Sequence, residues 1–133
     1  MRRAQRLVRR GRRQAERLML DRCRIRPVIG DTTDPVTGVV TPVYGDPVYE
    51  GRCKIQSQRP WPSNPDAGER EWALVPTELH LPVAGTADVT TGHYVQITSS
   101  VDAGNVGREF RIRTGDRKTL QTAVRYLVEE VTN

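Results

Sequence analysis

Aromatic residues are scarce in this 133-residue chain, which has one Phe, two Trp and four Tyr. A core of stacked rings is therefore excluded. Valine and isoleucine must do most of the packing, and both favour strands over helices. Cysteine is as sparse. Cys23 and Cys53 form neither a CxxC pair nor a zinc set, and they read as two buried thiols in a chain made in a reducing cytoplasm. The two histidines, His80 and His93, fall on expected strands without the cluster of acids or cysteines that a metal ion needs. GxSxG, HExxH, Walker-type glycine loops and GxGxxG are all absent, and Ser63, Ser99 and Ser100 have no base near them in sequence. Asp31, Asp34 and Asp46 sit in turn sequences, but their spacing is not that of an EF-hand. The sequence thus argues against an enzyme and implies neither a metal nor a cofactor. No apolar run approaches the roughly 20 residues that span a bilayer. The apolar run Leu18–Leu20 is far too short for a secretory signal.

Arginine, by contrast, is abundant and segregated. The first 26 residues hold eleven arginines, no lysine and two acids (Glu16 and Asp21), a net of +9. With +5 for the whole chain, residues 27–133 carry −4. A basic arm on a mildly acidic body points to an anionic partner, whether nucleic acid, an acidic protein surface or a membrane face. The arm is patterned as well. Ala4, Leu7, Val8, Gly11, Ala15, Leu18 and Met19 recur at helical spacing along one stripe. Arg2, Arg3, Arg6, Arg9, Arg10, Arg12, Arg13 and Arg17 fall mainly off that stripe. Residues 1–21 are therefore expected to form an amphipathic helical arm of about 18 helical residues, nearly 30 Å long at ~1.5 Å per residue. Leu7, Val8, Leu18 and Met19 are its docking residues, and the arginines are offered to DNA or to an acidic partner. Close like charges oppose an isolated helix, so the arm should firm up when its stripe docks. The stripe is too poor in large apolar groups to hold a membrane strongly.

Residues 22–133 read as a single β domain, punctuated by most of the chain's eleven glycines and by its nine prolines. Strands are expected at Arg22–Val28, Val39–Val43, Pro47–Gln58, Trp72–Val83, His93–Ser99 and Arg108–Thr114. Gly30–Gly38 reads as a polar loop, and Tyr44–Pro47 as a tight turn between two strands. In Pro47–Gln58 the inward set is Tyr49, Gly51, Cys53 and Ile55, with Gly51 a bulge or a close approach. The C-terminal run fits both a helix stripe and a strand, and the expectation is a short helical turn near Lys118–Ala123 followed by a strand. Residues 59–71 contain three prolines and no periodicity, which marks a long loop. Six or seven short strands with regular turns imply a mainly β fold, a small barrel or sandwich with long loops behind an N-terminal helix.

The order of elements is more specific than any one motif. A basic amphipathic helix is followed by the strand R-x-R-I, the acidic segment Asp31–Gly38, then V-Y-E-G-R-C-K-I. After the proline-rich loop come D-V-T-T-G-H-Y-V-Q-I, G-R-E-F-R-I-R and T-L-Q-T-A-V-R-Y-L-V-E-E-V. This order resembles the head-completion (stopper, or head–tail connector) proteins of long-tailed bacteriophages. The resemblance spans residues 22–131 and carries no catalytic signature. It implies a small barrel, located in the virion, that forms a ring of six or twelve copies. The ring sits between portal or adaptor proteins on the head side and a tail terminator or tail tube on the tail side. It closes the head over packaged double-stranded DNA and docks the tail. The inter-ring or channel loop of that family carries over to Arg59–Glu71, hence to Arg59, Trp61, Glu69 and Arg70, and secondarily to Gly30–Gly38. The arginine density of the arm exceeds the family pattern. A competing expectation is a nucleic-acid-binding small barrel with a basic arm, although the body is acidic and lacks a strand face of stacking aromatics.

Overall fold

The computed structural model describes residues 2–57 and 77–131. Helix α1 spans Arg2–Arg17. Among the described residues eight strands follow, β1 Asp21–Arg26, β2 Val28–Thr33, β3 Val40–Tyr44, β4 Tyr49–Ser57, β5 Thr77–Leu81, β6 Tyr94–Ser99, β7 Glu109–Asp116 and β8 Val124–Glu130. Six of them close into an antiparallel barrel in the order β1-β4-β5-β8-β7-β6, in which β6 returns to pair with β1. Closure removes the free sheet edges that would otherwise template aggregation. The mainly β barrel with one N-terminal helix is the fold class that the sequence implied.

Period-two alternation decides what lies inside. Cys23 and Ile25 on β1, Cys53 on β4, Leu79 and Leu81 on β5, Val95 and Ile97 on β6, Phe110 and Ile112 on β7, and Val124, Tyr126 and Val128 on β8 form one buried cluster. Three isoleucines and three strand valines outnumber the aromatics, as the composition requires. Tyr126 shows how tightly the cluster is filled. A Cβ at its cross-strand partner Gly115 would stand 2.6 Å from two atoms of the Tyr126 ring. The ring is buried and its hydroxyl donates to the Val89 carbonyl at 3.3 Å. Gly115→Ala is therefore expected to lower stability by about 1–3 kcal/mol, the usual cost of overpacking, read as a shift in the urea midpoint. Gly51 is the close approach that was expected, since its Cβ would meet the Tyr49 hydroxyl at 2.8 Å.

Cys23 and Cys53 are buried free thiols on adjacent strands. Their mutual hydrogen bond, and then burial, push the Cys23 thiol far up from its ordinary range. The thiolate is the reactive form. Burial also closes both sulfurs to reagent, so neither thiol should be alkylated by iodoacetamide in the native protein at pH 8, and both should be modified within minutes in denaturant. Rapid labelling without denaturant would contradict the packed barrel.

Three expectations need correction. Gly30–Gly38 is not simply a loop. Residues 28–33 form β2, which pairs with β3 as a two-stranded ribbon outside the barrel. Only the tip turns, where Asp34 accepts from the Val36 and Thr37 amides and Gly38 N–H donates to the Asp34 carbonyl. Second, Tyr44–Pro47 links two successive strands as expected, but as a bend between the ribbon and the barrel and not as a tight turn. β1-β2 and β3-β4 are the two arms of one long hairpin, bent out of the barrel at Pro27 and Gly45–Val48. Gly45 N–H to the Pro27 carbonyl (2.9 Å) and Val48 N–H to the Ile25 carbonyl (2.8 Å) hold the bend. A sequence period of two continues through such a bend, so it could not mark where the ribbon leaves. Third, residues 118–123 form turns rather than a helical turn, with Leu120 at φ 60°. The strand expected after them is β8.

Candidate functional site

Helix α1 has little intrinsic support. No acid occupies its first turn, and only Arg17 in its last turn suits the helix dipole. Arg2–Arg6, Arg6–Arg10, Arg9–Arg13 and Arg13–Arg17 are like charges one turn apart, each pair unfavourable by a few tenths of a kcal/mol (about 0.2–0.5). Its mount on the barrel is slight. No residue of the helix is fully buried, although Val8, Gly11, Arg12, Ala15 and Glu16 are half-covered and Met19, just beyond its end, is buried. At ~100° per residue, Val8, Gly11, Ala15 and Met19 share one side. Gly11 lets the helix approach the segment before β8, since a Cβ there would lie 2.8 Å from Thr122 Cγ2. Beside it, Arg12 Nε donates to the Gln121 carbonyl at 2.9 Å.

This mount sorts the residues singled out from sequence. Of the docking set, Val8 and Met19 turn towards the chain's own barrel. Leu7 and Leu18 stay exposed, joined by Leu20. Of the eight arginines, Arg12 alone is drawn in. Arg2, Arg3, Arg6, Arg9, Arg10, Arg13 and Arg17 are exposed on the far side. Arg59, Trp61, Glu69 and Arg70 lie outside the described residues.

Sequence reading missed two groups on the outer barrel face. Arg22 on β1 stands directly opposite Arg52 on β4, a like-charge cross-strand pair that costs stability unless an anion approaches. Lys54 follows Arg52 on the same face. The neighbouring Arg24 instead pairs with Glu50 at 3.0 Å. The second group fastens the ribbon. Tyr44 at the end of β3 stacks on Tyr94 with ring centroids 4.3 Å apart. The Arg26 guanidinium lies 4.6 Å from the Tyr44 ring centre and 5.8 Å from that of Tyr94. Tyr94 stands between Arg26 and Arg111 on adjacent strands. Burial foremost, then a hydrogen bond to Glu109, raises its phenol pKa. A contact across the hairpin bend leaves no local signal in the sequence.

The histidines have modest environments. His80 Nε2 lies 3.0 Å from Glu78 Oε2, and His93 accepts from the Thr90 amide at 3.3 Å, with burial lowering its pKa. Among the described residues no three His, Cys, Asp or Glu side chains converge as metal ligands, and no helix is long and apolar enough to cross a membrane. What the described surface offers is projection: a basic helix, and a ribbon whose residues 29–41 are all exposed.

Residues 11–129 match the model of a family of unknown function, DUF6093. The match begins at Gly11, the residue on which the helix is mounted. The fold is similar to the solution structure of protein SF1141 from Shigella flexneri 2a, with a TM-score of 0.51 and 15% identity over 83% of this chain and 90% of that one. At that identity the likeness is one of fold alone. No curated protein matches.

Proposed function

The chain belongs to the DUF6093 family, whose function is not known, and from its surfaces we propose that it is a structural ring component at the head–tail junction of a long-tailed bacteriophage virion. In this reading the ring closes the DNA-filled head and docks the tail. One observation carries it. A barrel without free edges bears two exposed projections of opposite character, the basic helix α1 and the acidic β2–β3 ribbon. Such a body suits assembly, because its surfaces face outward and repeat in every copy. The element order that resembles head-completion proteins supplies the place of the ring, between portal or adaptor proteins and the tail terminator or tube. Ring formation multiplies each subunit's charge, so even one arginine face per copy makes a strong annular field towards acidic neighbours or packaged DNA. Removing the gene from its phage should yield DNA-filled heads that lack tails and lose their DNA on dilution. Normal yields of infectious particles from that deletion would overturn the reading.

A second reading is favoured by the seven exposed helix arginines together with Arg22 opposite Arg52. It is a nucleic-acid-binding barrel that grips phosphates without sequence preference. It requires affinity for duplex DNA to fall roughly 10³-fold or more between 50 and 200 mM salt, as for about six phosphate contacts. An affinity unchanged over that range removes it.

A further inference from the structure

Among the described residues, Leu120, Leu127 and Val131 are exposed apolar side chains elsewhere on the surface, but seven others collect at two places, beyond the two ends of strand β1. Before β1, between the end of α1 and the barrel, lies an open groove lined by Leu18, Leu20, Val101 and Lys54, with Asp21 and Asp102 also on its wall. Leu18 is 62%, Leu20 63% and Val101 77% exposed. Beyond the other end lies the ribbon, with Ile29, Val39 and Val40 more than half exposed and Val36 at its tip 90% exposed. β1 itself has six residues, so at ~3.3 Å each about 20 Å of barrel separates the two patches.

The groove's own wall is mixed in charge, but the helix edge beside it and the ribbon are opposite in sign. From Pro27 to Gly51 the chain has no basic residue and carries Asp31, Asp34, Asp46 and Glu50. By the ribbon register, Asp31 and Pro42 are partners on the same face as Thr33 and Val40. At the groove end, the exposed helix edge runs Arg3, Leu7, Arg10, Gln14, Leu18 at spacings of three or four residues, with Arg17 beside it. That edge interleaves leucine with arginine, as the ribbon interleaves valine with aspartate. The β-branched residues of an exposed two-stranded ribbon are suited to packing on such a surface.

We propose that the ribbon of one copy seats in the helix–barrel groove of the next, with Asp31 facing the arginine edge of α1 and the ribbon valines covering Leu18, Leu20 and Val101. The two patches differ, so the contact is head-to-tail. Such contacts propagate from copy to copy and close into a ring when the rotation between neighbours divides a full turn. The inference deepens the ring reading and rests on it for its setting. It also explains why an arm with four like-charge pairs is kept. A neighbour's acids relieve the repulsion, and the seat orders the helix as the ring forms.

Site-directed cross-linking of the full-length chain tests this. The native thiols are buried, so Leu18→Cys and Val36→Cys would supply the accessible cysteines. Within one chain these positions are too far apart for a short bismaleimide. Mixing the two single variants at high protein concentration should give a mixed dimer, and the double variant should give a ladder of larger species. Arg10→Glu with Arg17→Glu should slow the cross-link at least tenfold, and Asp31→Arg in the partner should restore much of it. Absence of the mixed dimer overturns the interface, as does Val36→Cys linking faster to itself than to Leu18→Cys. If the arginine reversals abolish duplex-DNA binding but leave the cross-link unchanged, the helix edge serves nucleic acid and the charge pairing is wrong. These outcomes are independent of the deletion phenotype. A phage that needs the protein, yet yields no such link, keeps the ring and loses this contact.

Discussion

Phe110→Ala is expected to lower the free energy of unfolding by about 3–5 kcal/mol, the range for emptying a buried aromatic site. Domains of this size are stable by only about 5–15 kcal/mol, so the variant should be largely unfolded at moderate temperature or recoverable only in the cold. Among the described residues Phe110 is the largest fully buried side chain, and it is the chain's only phenylalanine. It sits on β7 between Val95 of β6 and Glu130 of β8, so it is fixed by pairing on both sides. The Arg108 guanidinium lies 5.0 Å from its ring centre, held by hydrogen bonds of 3.0 Å from Nε and Nη2 to Glu130. No other phenylalanine is present to collapse into the void. Phe110→Leu, which keeps most of the volume, should cost less than half as much. Urea denaturation reads both. A loss under about 1 kcal/mol for the alanine variant would mean that the ring is not part of a close-packed barrel core.

Deleting residues 2–17 should have the opposite profile, a small effect on the fold and a large one on assembly. The helix contributes no fully buried side chain, and the contacts that hold it include one Arg12 bond to the Gln121 carbonyl and the Gly11–Thr122 approach. One such bond is worth about 0.5–1.5 kcal/mol, and removing the repulsion among the arginines offsets part of it. The urea midpoint should therefore change little. Assembly is different, because every copy in a ring carries the same defect. A loss of about 1.4 kcal/mol is tenfold at one interface and compounds over each repeated contact. Complementation with the truncated chain should lower the yield of infectious particles by several orders of magnitude, while the protein remains soluble and folded by circular dichroism. A truncation that assembles normally would show that the arm is dispensable. One that unfolds would show that the mount on Thr122 and Gln121 is far stronger than its geometry implies.

Local periodicity carried much of this fold. Alternation in Pro47–Gln58 put Cys53 and Ile55 inward, and the stripe in the arm announced α1, although it ran on to Met19, two residues past the helix. The errors arose where a distant contact decided the outcome. The acidic, threonine-rich run 30–38 looked like a loop because nothing local revealed that its partner was β3. The bend at Pro27 and Gly45 depends on Tyr44 reaching Tyr94, fifty residues on. The arm's stripe was legible as a stripe, but its division between Met19, buried on its own barrel, and Leu18, left exposed, depends on the helix's angle to Thr122. That division changes the reading of the eight arginines of the arm. They belong to a helix already mounted on its own barrel by one side, with its outer side free for a neighbour.

A reconstruction of the head–tail junction in the phage that encodes this chain tests the central claim most directly. The account requires a closed ring of six-stranded barrels between the portal or adaptor proteins and the tail, one barrel per copy, with α1 and the β2–β3 ribbon engaged with neighbours. A complete, DNA-filled, tailed particle whose junction contains no such barrel would contradict it.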